Sequence, residues 1–187
     1  MASFWRNSGS HFVLITGGAS GIGFGLAKRL VAKGHTVAVC GRRAEQLALA
    51  QDQCPGLVTI QGDVSSESGR QALAEKIKLD FPKINVLVNN AGIQNRLPPL
   101  TDAAHGKDLW AQHKQEIAIN FEAPMHLTYL LLPLLLAQPK SQVVNVTSGL
   151  SFVPIAAMAT YCATKAAMHS FSLSLRYQLS STSVSEH

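Results

Sequence analysis

A tyrosine and a lysine stand four residues apart in the run Tyr161-Cys-Ala-Thr-Lys165. On a helix that spacing sets phenol and ammonium on one face. A phenol of pKa about 10 is a poor acid or base at neutral pH, and a neighbouring cation lowers that value by stabilising the phenolate. Ser148 follows the apolar run 142–146 and offers a hydroxyl able to donate to a carbonyl oxygen. The chemistry these three groups suit is proton transfer at a polarised carbonyl or an alcohol. A Tyr-x-x-x-Lys spacing alone equally describes a surface pair. Its place after a strand ending in serine, in a chain that opens with a glycine turn, sets this one apart.

That turn is Thr16-Gly17-Gly-Ala-Ser20-Gly21-Ile22-Gly23. Apolar residues 12–15 precede it and helix-forming residues follow, so the order reads buried strand, tight turn, helix N-terminus. An open helix start presents unpaired N–H groups and partial positive charge, which suits a phosphate. The T-G-x-x-x-G-x-G spacing differs from the general G-x-G-x-x-G fingerprint, and a turn that needs glycine only for its backbone is the alternative. At the end of the second strand an acid would bond a ribose 2′-hydroxyl and repel a 2′-phosphate. Here Gly41-Arg42-Arg43 stands in that place, with no acid before Glu45. Two guanidinium groups favour a phosphate, so NADP is preferred over NAD. Solvated arginines opening a helix are the alternative.

Around these groups strands and helices alternate without an internal repeat. Strands are expected at 12–15, 36–40, 57–61, 85–88 and 142–146, and helices at 22–32, after Arg43, from Ser65 or Ser66 to Asp80, at 107–137 and at 161–179. A polar, proline-bearing loop covers 94–106. The pattern predicts an α/β fold, a doubly wound parallel sheet (Rossmann-like) in three α/β/α layers, with ligands bound outside the carboxyl ends of the strands. Gly17–Gly23, Arg42, Asp63, Asn89 and Ser148 all fall at those ends.

The chain has 187 residues, the length of one domain, and a net charge of +5 without a basic stripe or interleaved aromatics. A nucleic-acid partner is not expected, and the charge suits an anionic cofactor or substrate. Cys40, Cys54 and Cys162 are scattered and odd in number, as free thiols in a reducing compartment are. Cys162 reads as a packed small residue. The histidines form no metal-binding spacing, so no metal is expected. The first residues lack an apolar core for a signal peptide, and 130–137 is shorter than the roughly 20 residues a membrane span needs. A cytoplasmic protein is expected.

Six motifs carry a family resemblance: the glycine turn, Asp63-Val64, Asn89-Asn90-Ala91-Gly92, Asn120, Ser148 and Tyr161-x-x-x-Lys165. In that order and at these separations the chain, from about Phe12 to Leu179, resembles the short-chain dehydrogenase/reductase family. The resemblance implies an NADP-dependent oxidoreductase that moves a hydride between nicotinamide and a carbonyl/alcohol substrate. Tyr161 would be the general acid or base, Lys165 would hold the nicotinamide ribose and lower the phenol pKa, and Ser148 would polarise the substrate carbonyl. Asn120 would complete a water-linked proton relay to Lys165. Pro124, lacking an N–H four residues on, would free the Asn120 carbonyl at a kink.

Thr16, Gly17, Ser20, Gly21, Ile22 and Gly23 would hold the pyrophosphate side of the cofactor, and Arg42 and Arg43 its 2′-phosphate. Asp63 and Val64 would border adenine; Asn89, Ala91 and Gly92 would line the middle. Trp110, Ile117, Phe121 and the run 127–136 would form core and a helix-pair surface for a homo-oligomer such as a dimer. The family fold continues past the Tyr-x-x-x-Lys helix through further strands and a substrate lid. With only Val184 apolar in 180–187, that tail is expected to fray, the sheet to lack the family's last strands, and the strand at 142–146 to form its edge. The alternative is a truncated, non-catalytic relative that binds nucleotide or dimerises without turnover.

Overall fold

The computed structural model describes residues 9–96 and 109–186. Six parallel strands form one sheet in the order β3-β2-β1-β4-β5-β6. They are β1 (Phe12–Thr16), β2 (Thr36–Gly41), β3 (Val58–Gln61), β4 (Val86–Asn89), β5 (Ser141–Asn145) and β6 (Val184–Glu186). The helices are α1 (Gly21–Ala32), α2 (Ala44–Gln53), α3 (Glu67–Asp80), α4 (Trp110–Leu136) and α5 (Ala159–Leu179). The order reverses direction between β1 and β4, the switch point where such sheets open a ligand crevice.

Strand alternation sorts the core into two layers. Val13, Ile15, Val37 and Val39 point to the α1–α2 face with Ala27, Leu30 and Leu47. Leu14, Ala38, Cys40 and Leu87 point to the other, against Leu73 and Ile77 of α3, Leu127 and Leu131 of α4 and Leu175 of α5. Near-continuous apolar strands are what a sheet buried on both faces requires. α4 is long and apolar enough to cross a membrane by length and composition, but Leu127, Leu131 and Leu135 are wholly buried against this core.

The boundaries agree with expectation to within a residue or two, and Ser66 is the cap of α3, its Oγ accepting the Gly69 N–H at 3.1 Å. The expected start of α4 at 107 and most of the 94–106 loop lie outside the described residues. Before Pro124, α4 widens into a π turn over Ala118–Glu122, with the Ala123 N–H bonded to the Ala118 carbonyl. Single π turns are frequent at functional sites.

The end of the chain corrects the expected frayed tail. β6 pairs with β5 in register Ser141↔Val184, Gln142↔Ser185 and Val143↔Glu186, so β6, not β5, is the sheet edge. One apolar residue suffices because the strand's other inward group is paired. Val184 is 3% exposed. Glu186 accepts from Asn145 Nδ2 at 3.2 Å and meets Arg176 Nη2 at 3.4 Å.

Candidate functional site

Outside the carboxyl ends of β1, β2, β3 and β4 lies an open cavity of about 540 Å³. Of the residues expected to bind a cofactor, Gly17, Ser20, Gly21, Ile22, Arg42, Arg43, Asp63, Val64, Ala91 and Gly92 line it. The glycine turn is shaped by backbone demands. Gly17 has φ of 65°, and a Cβ on it would stand 2.9 Å from the Ala91 Cα; Gly21 has φ of 56° and open space where a Cβ would project. Ser20 caps α1 in extended conformation, yet its hydroxyl makes no bond to its own helix. First-turn amides of a helix have no intrahelical partner. Ile22 is 78% exposed, an apolar side chain with no protein surface over it. Such a wall fits a pyrophosphate flanked by ribose or ring, and the exposed Arg42 and Arg43 stand on the side of β2.

Five of the expected cofactor residues do not line this cavity: Tyr161 and Lys165, and also Thr16, Gly23 and Asn89. Thr16 is buried, and its Oγ1 accepts the N–H groups of Asn90 and Ala91, each at 3.0 Å. It pins the turn after β4 to the end of β1. Gly23 lies under the turn: a Cβ there would be 2.5 Å from Asn90 Nδ2 and 2.8 Å from the Gly17 carbonyl. Asn89, 5% exposed, directs its amide into the protein, donating to Asn145 Oδ1 at 2.8 Å and Thr128 Oγ1 at 3.2 Å. Its neighbour Asn90 lines the cavity instead, and donates to the carbonyls of Thr16 and Gly17 at 2.9 and 3.2 Å. Strand alternation decides this, since consecutive residues face opposite ways.

Lys165 and Asn120 meet beside Gly92, and the Tyr161 ring stands next to the lysine. Lys165 is 5% exposed, donates to the Val146 carbonyl at 2.7 Å and has its Nζ 5.8 Å from the centroid of the half-buried Tyr161 ring. Burial lowers the Lys165 pKa from its ordinary value. A Cβ on Gly92 would stand 3.3 Å from Asn120 Oδ1 and 3.7 Å from Lys165 Nζ, so both side chains close on this one glycine. Ser148 follows β5, and its Oγ accepts the Leu150 N–H at 3.2 Å. An accepting hydroxyl keeps its own proton to donate.

Asn120 is buried and spends its amide on the chain. Its Oδ1 accepts the Ile93 N–H at 2.9 Å, and its Nδ2 donates to the Ile93 carbonyl at 2.8 Å and the Thr164 hydroxyl at 3.3 Å. One turn earlier, Glu116 Oε1 accepts the Asn95 N–H at 2.9 Å. The two side chains serve alternate residues of the loop after β4, as a neighbouring strand would. Sequence reasoning passed over Glu116, though its place four residues before Asn120 puts both on one helix face. Among the described residues no group of three His, Cys, Asp or Glu is close enough to hold a metal. Cys40 lines the cavity with its thiol pushed up to about 12 by burial, too high for a nucleophile.

Sheet order, glycine turn and cavity together define a doubly wound, Rossmann-like α/β protein that carries a tyrosine–lysine pair. Residues 11–185 match the sequence model of the family described as short chain dehydrogenase, and the chain belongs to that family. It is 51% identical over 172 residues to an uncharacterized oxidoreductase, DltE, of Bacillus subtilis, covering 92% of this chain and 67% of that protein. It is 32% identical over 173 residues to the NADP-dependent 3-hydroxy acid dehydrogenase YdfG of Salmonella typhi, covering 92% and 68%. A metagenomic short-chain oxidoreductase solved in complex with NADP superposes with a TM-score of 0.86 at 26% identity, over 94% of this chain and 79% of that one. The chain thus spans about two thirds of the length of those two sequence relatives.

Proposed function

We propose that the protein is an NADP-dependent oxidoreductase acting on a small carbonyl/alcohol pair. The observation that carries this reading is Lys165, buried on the Val146 carbonyl 5.8 Å from the Tyr161 ring, next to a glycine that also lines the nucleotide cavity. Bound nicotinamide supplies the hydride or accepts it. In reduction Tyr161 gives its phenolic proton to the substrate oxygen, and in oxidation it takes that proton from the hydroxyl. Lys165 favours the phenolate by its charge, and Ser148 donates to the same substrate oxygen, stabilising charge as it develops there. Asn120, through both hydrogen bonds to Ile93, holds Gly92 beside the reacting groups.

Arg42 and Arg43 favour NADP over NAD, and relatives described as NADP-dependent or solved with NADP support the same choice. Three buried free thiols suit a reducing compartment, and we assign the cytoplasm. The exposed Tyr129 and Leu136 of α4 and Leu173 and Tyr177 of α5 offer an apolar face to a second copy of the chain.

The test is NADPH consumption with ketones, aldehydes and 3-oxo acids, and NADP reduction with serine and other 3-hydroxy acids. Turnover lost in Tyr161→Phe with NADPH binding retained supports the enzyme. Binding without turnover across the panel assigns the chain to the non-catalytic alternative. Replacing Arg42 and Arg43 by Ala is expected to weaken NADPH about tenfold or more and NADH little; equal weakening would overturn the 2′-phosphate assignment.

A further inference from the structure

Arg70 lies in α3, behind the turn that carries Asp63 and Val64. It is 6% exposed, and among the described residues no carboxylate stands within ion-pair distance of it. Among the described residues, this buried cation is held by carbonyl and ring-nitrogen acceptors. Nη1 donates to the Val64 carbonyl at 3.0 Å and the Ser65 carbonyl at 3.3 Å, and Nε donates to His126 Nδ1 at 3.0 Å. Val64 and Asp63 line the cavity, and Asp63 Oδ1 accepts the Ser65 N–H at 2.9 Å. The turn after β3 is therefore fixed from inside by Asp63 and from behind by Arg70. Through His126 it is tied to α4, the helix that carries Asn120.

A buried charge without a counter-ion is a poor device for stability. What a guanidinium supplies is geometry, a rigid plane of donors that spans two carbonyls and a ring nitrogen at once. Its positive charge behind the wall also raises the potential of a cavity suited to a polyanion.

We propose that Arg70 is a positioning residue for the adenosine end of the nucleotide cavity, setting the Asp63–Val64 turn against α4 through His126. This rests on the nucleotide reading above and adds that the adenosine grip depends on a side chain outside the cavity wall. Calorimetric titration of 2′,5′-ADP, the adenosine half alone, and of NADPH into the full chain tests it, with melting temperatures recorded alongside. Arg70→Met is expected to weaken both ligands by a similar factor of about ten, and Arg70→Lys, which keeps the charge and reaches a carbonyl, by about three. His126→Leu, which leaves Arg70 but removes its ring acceptor, is expected to weaken both about threefold. Should Arg70→Met fail to fold, Arg70→Lys and His126→Leu carry the test. Variants that melt lower yet bind 2′,5′-ADP as the wild type does would overturn the proposal, leaving Arg70 a packing group. A wild-type chain that binds neither ligand would instead remove the nucleotide reading, and this proposal with it.

Discussion

Glu116→Gln is expected to stabilise the protein by an amount that grows with pH. Glu116 is wholly buried; Oε1 accepts the Asn95 N–H, and among the described residues Oε2 has no hydrogen-bond partner. Burial pushes the carboxyl pKa up from its ordinary value of 4.5, against smaller opposing effects of the Asn95 N–H and of His113. The folded chain then keeps this proton to higher pH than the unfolded chain does. Between the two pKa values it binds more protons, so stability falls as pH rises, with a limiting slope of about 1.4 kcal/mol per pH unit. This contribution is fully present below 4.5 and is lost as pH climbs through the folded value.

Glutamine keeps an acceptor for Asn95 and has no proton to lose. Urea unfolding of the two proteins side by side, from about pH 4.5 to about pH 8, reads the difference. It is expected near zero at the acid end and to grow steadily in favour of Glu116→Gln towards neutral pH. Glu116→Leu separates charge from hydrogen bonding: it shares the flat pH dependence but loses about 1 kcal/mol at all pH values by orphaning the Asn95 amide. A difference between wild type and Glu116→Gln that does not change with pH would refute the reasoning. So would a wild type that gains on the variant as pH rises, since the site would then favour the ionised carboxylate.

Gly23→Ala is expected to displace Asn90 and the glycine turn together, because its Cβ would meet Asn90 Nδ2 at 2.5 Å and the Gly17 carbonyl at 2.8 Å. A loss of about 1–3 kcal/mol by denaturant titration, with weaker NADPH binding, checks this. Leu127→Ala removes a wholly buried side chain between α4 and the sheet; about 2–5 kcal/mol should be lost, and under 1 would mean that the layer is loosely packed. His35 Nδ1 accepts the His11 N–H at 3.2 Å, and burial, then Lys33, lowers its pKa from 6.5. Its contribution is present above 6.5 and lost as pH falls through the folded value. The wild-type melting temperature should therefore drop on acidification more than that of His35→Gln, and equal drops would count against it.

The architecture was legible because apolar strand runs, glycine and proline breaks and helix caps coincide along this chain. Phe12–Thr16 and Thr36–Gly41 carry the near-continuous apolar pattern of strands buried on both faces. β6 was not legible for the same reason. Val184-Ser185-Glu186 shows no apolar run, and its burial depends on Asn145 and Arg176, which lie 41 and 10 residues from Glu186 in sequence. Partners brought by the fold cannot be counted from a local pattern. The π turn belongs to the same class: Pro124 announces a missing donor, but whether the helix kinks, breaks or widens is decided by what packs around Asn120.

Residues whose type is dictated by backbone geometry or charge line the cavity as expected, whereas polar side chains with two possible partners turn into the protein instead. Gly17 and Gly21 take positive φ, and among the described residues no carboxylate pairs with Arg42 or Arg43, so type and place supported the expectation of a ligand. Thr16 and Asn89 have the right chemistry to bind one and use it on the protein's own turn and neighbouring strand. Asn120 is the instructive case, for its amide is fully engaged by Ile93 and Thr164 and no hydrogen bond joins it directly to Lys165. Both functions converge on the loop after β4: Thr16 and Asn90 fix its start, Asn120 and Glu116 fix its alternate residues, and Gly92 stands between cavity and lysine. Under the proposed function, the polar interior that stabilises this loop and the one that sets up the reaction are the same set of hydrogen bonds. Substitutions there should therefore move loop order and cofactor binding together, whereas those at Tyr161 should move turnover alone.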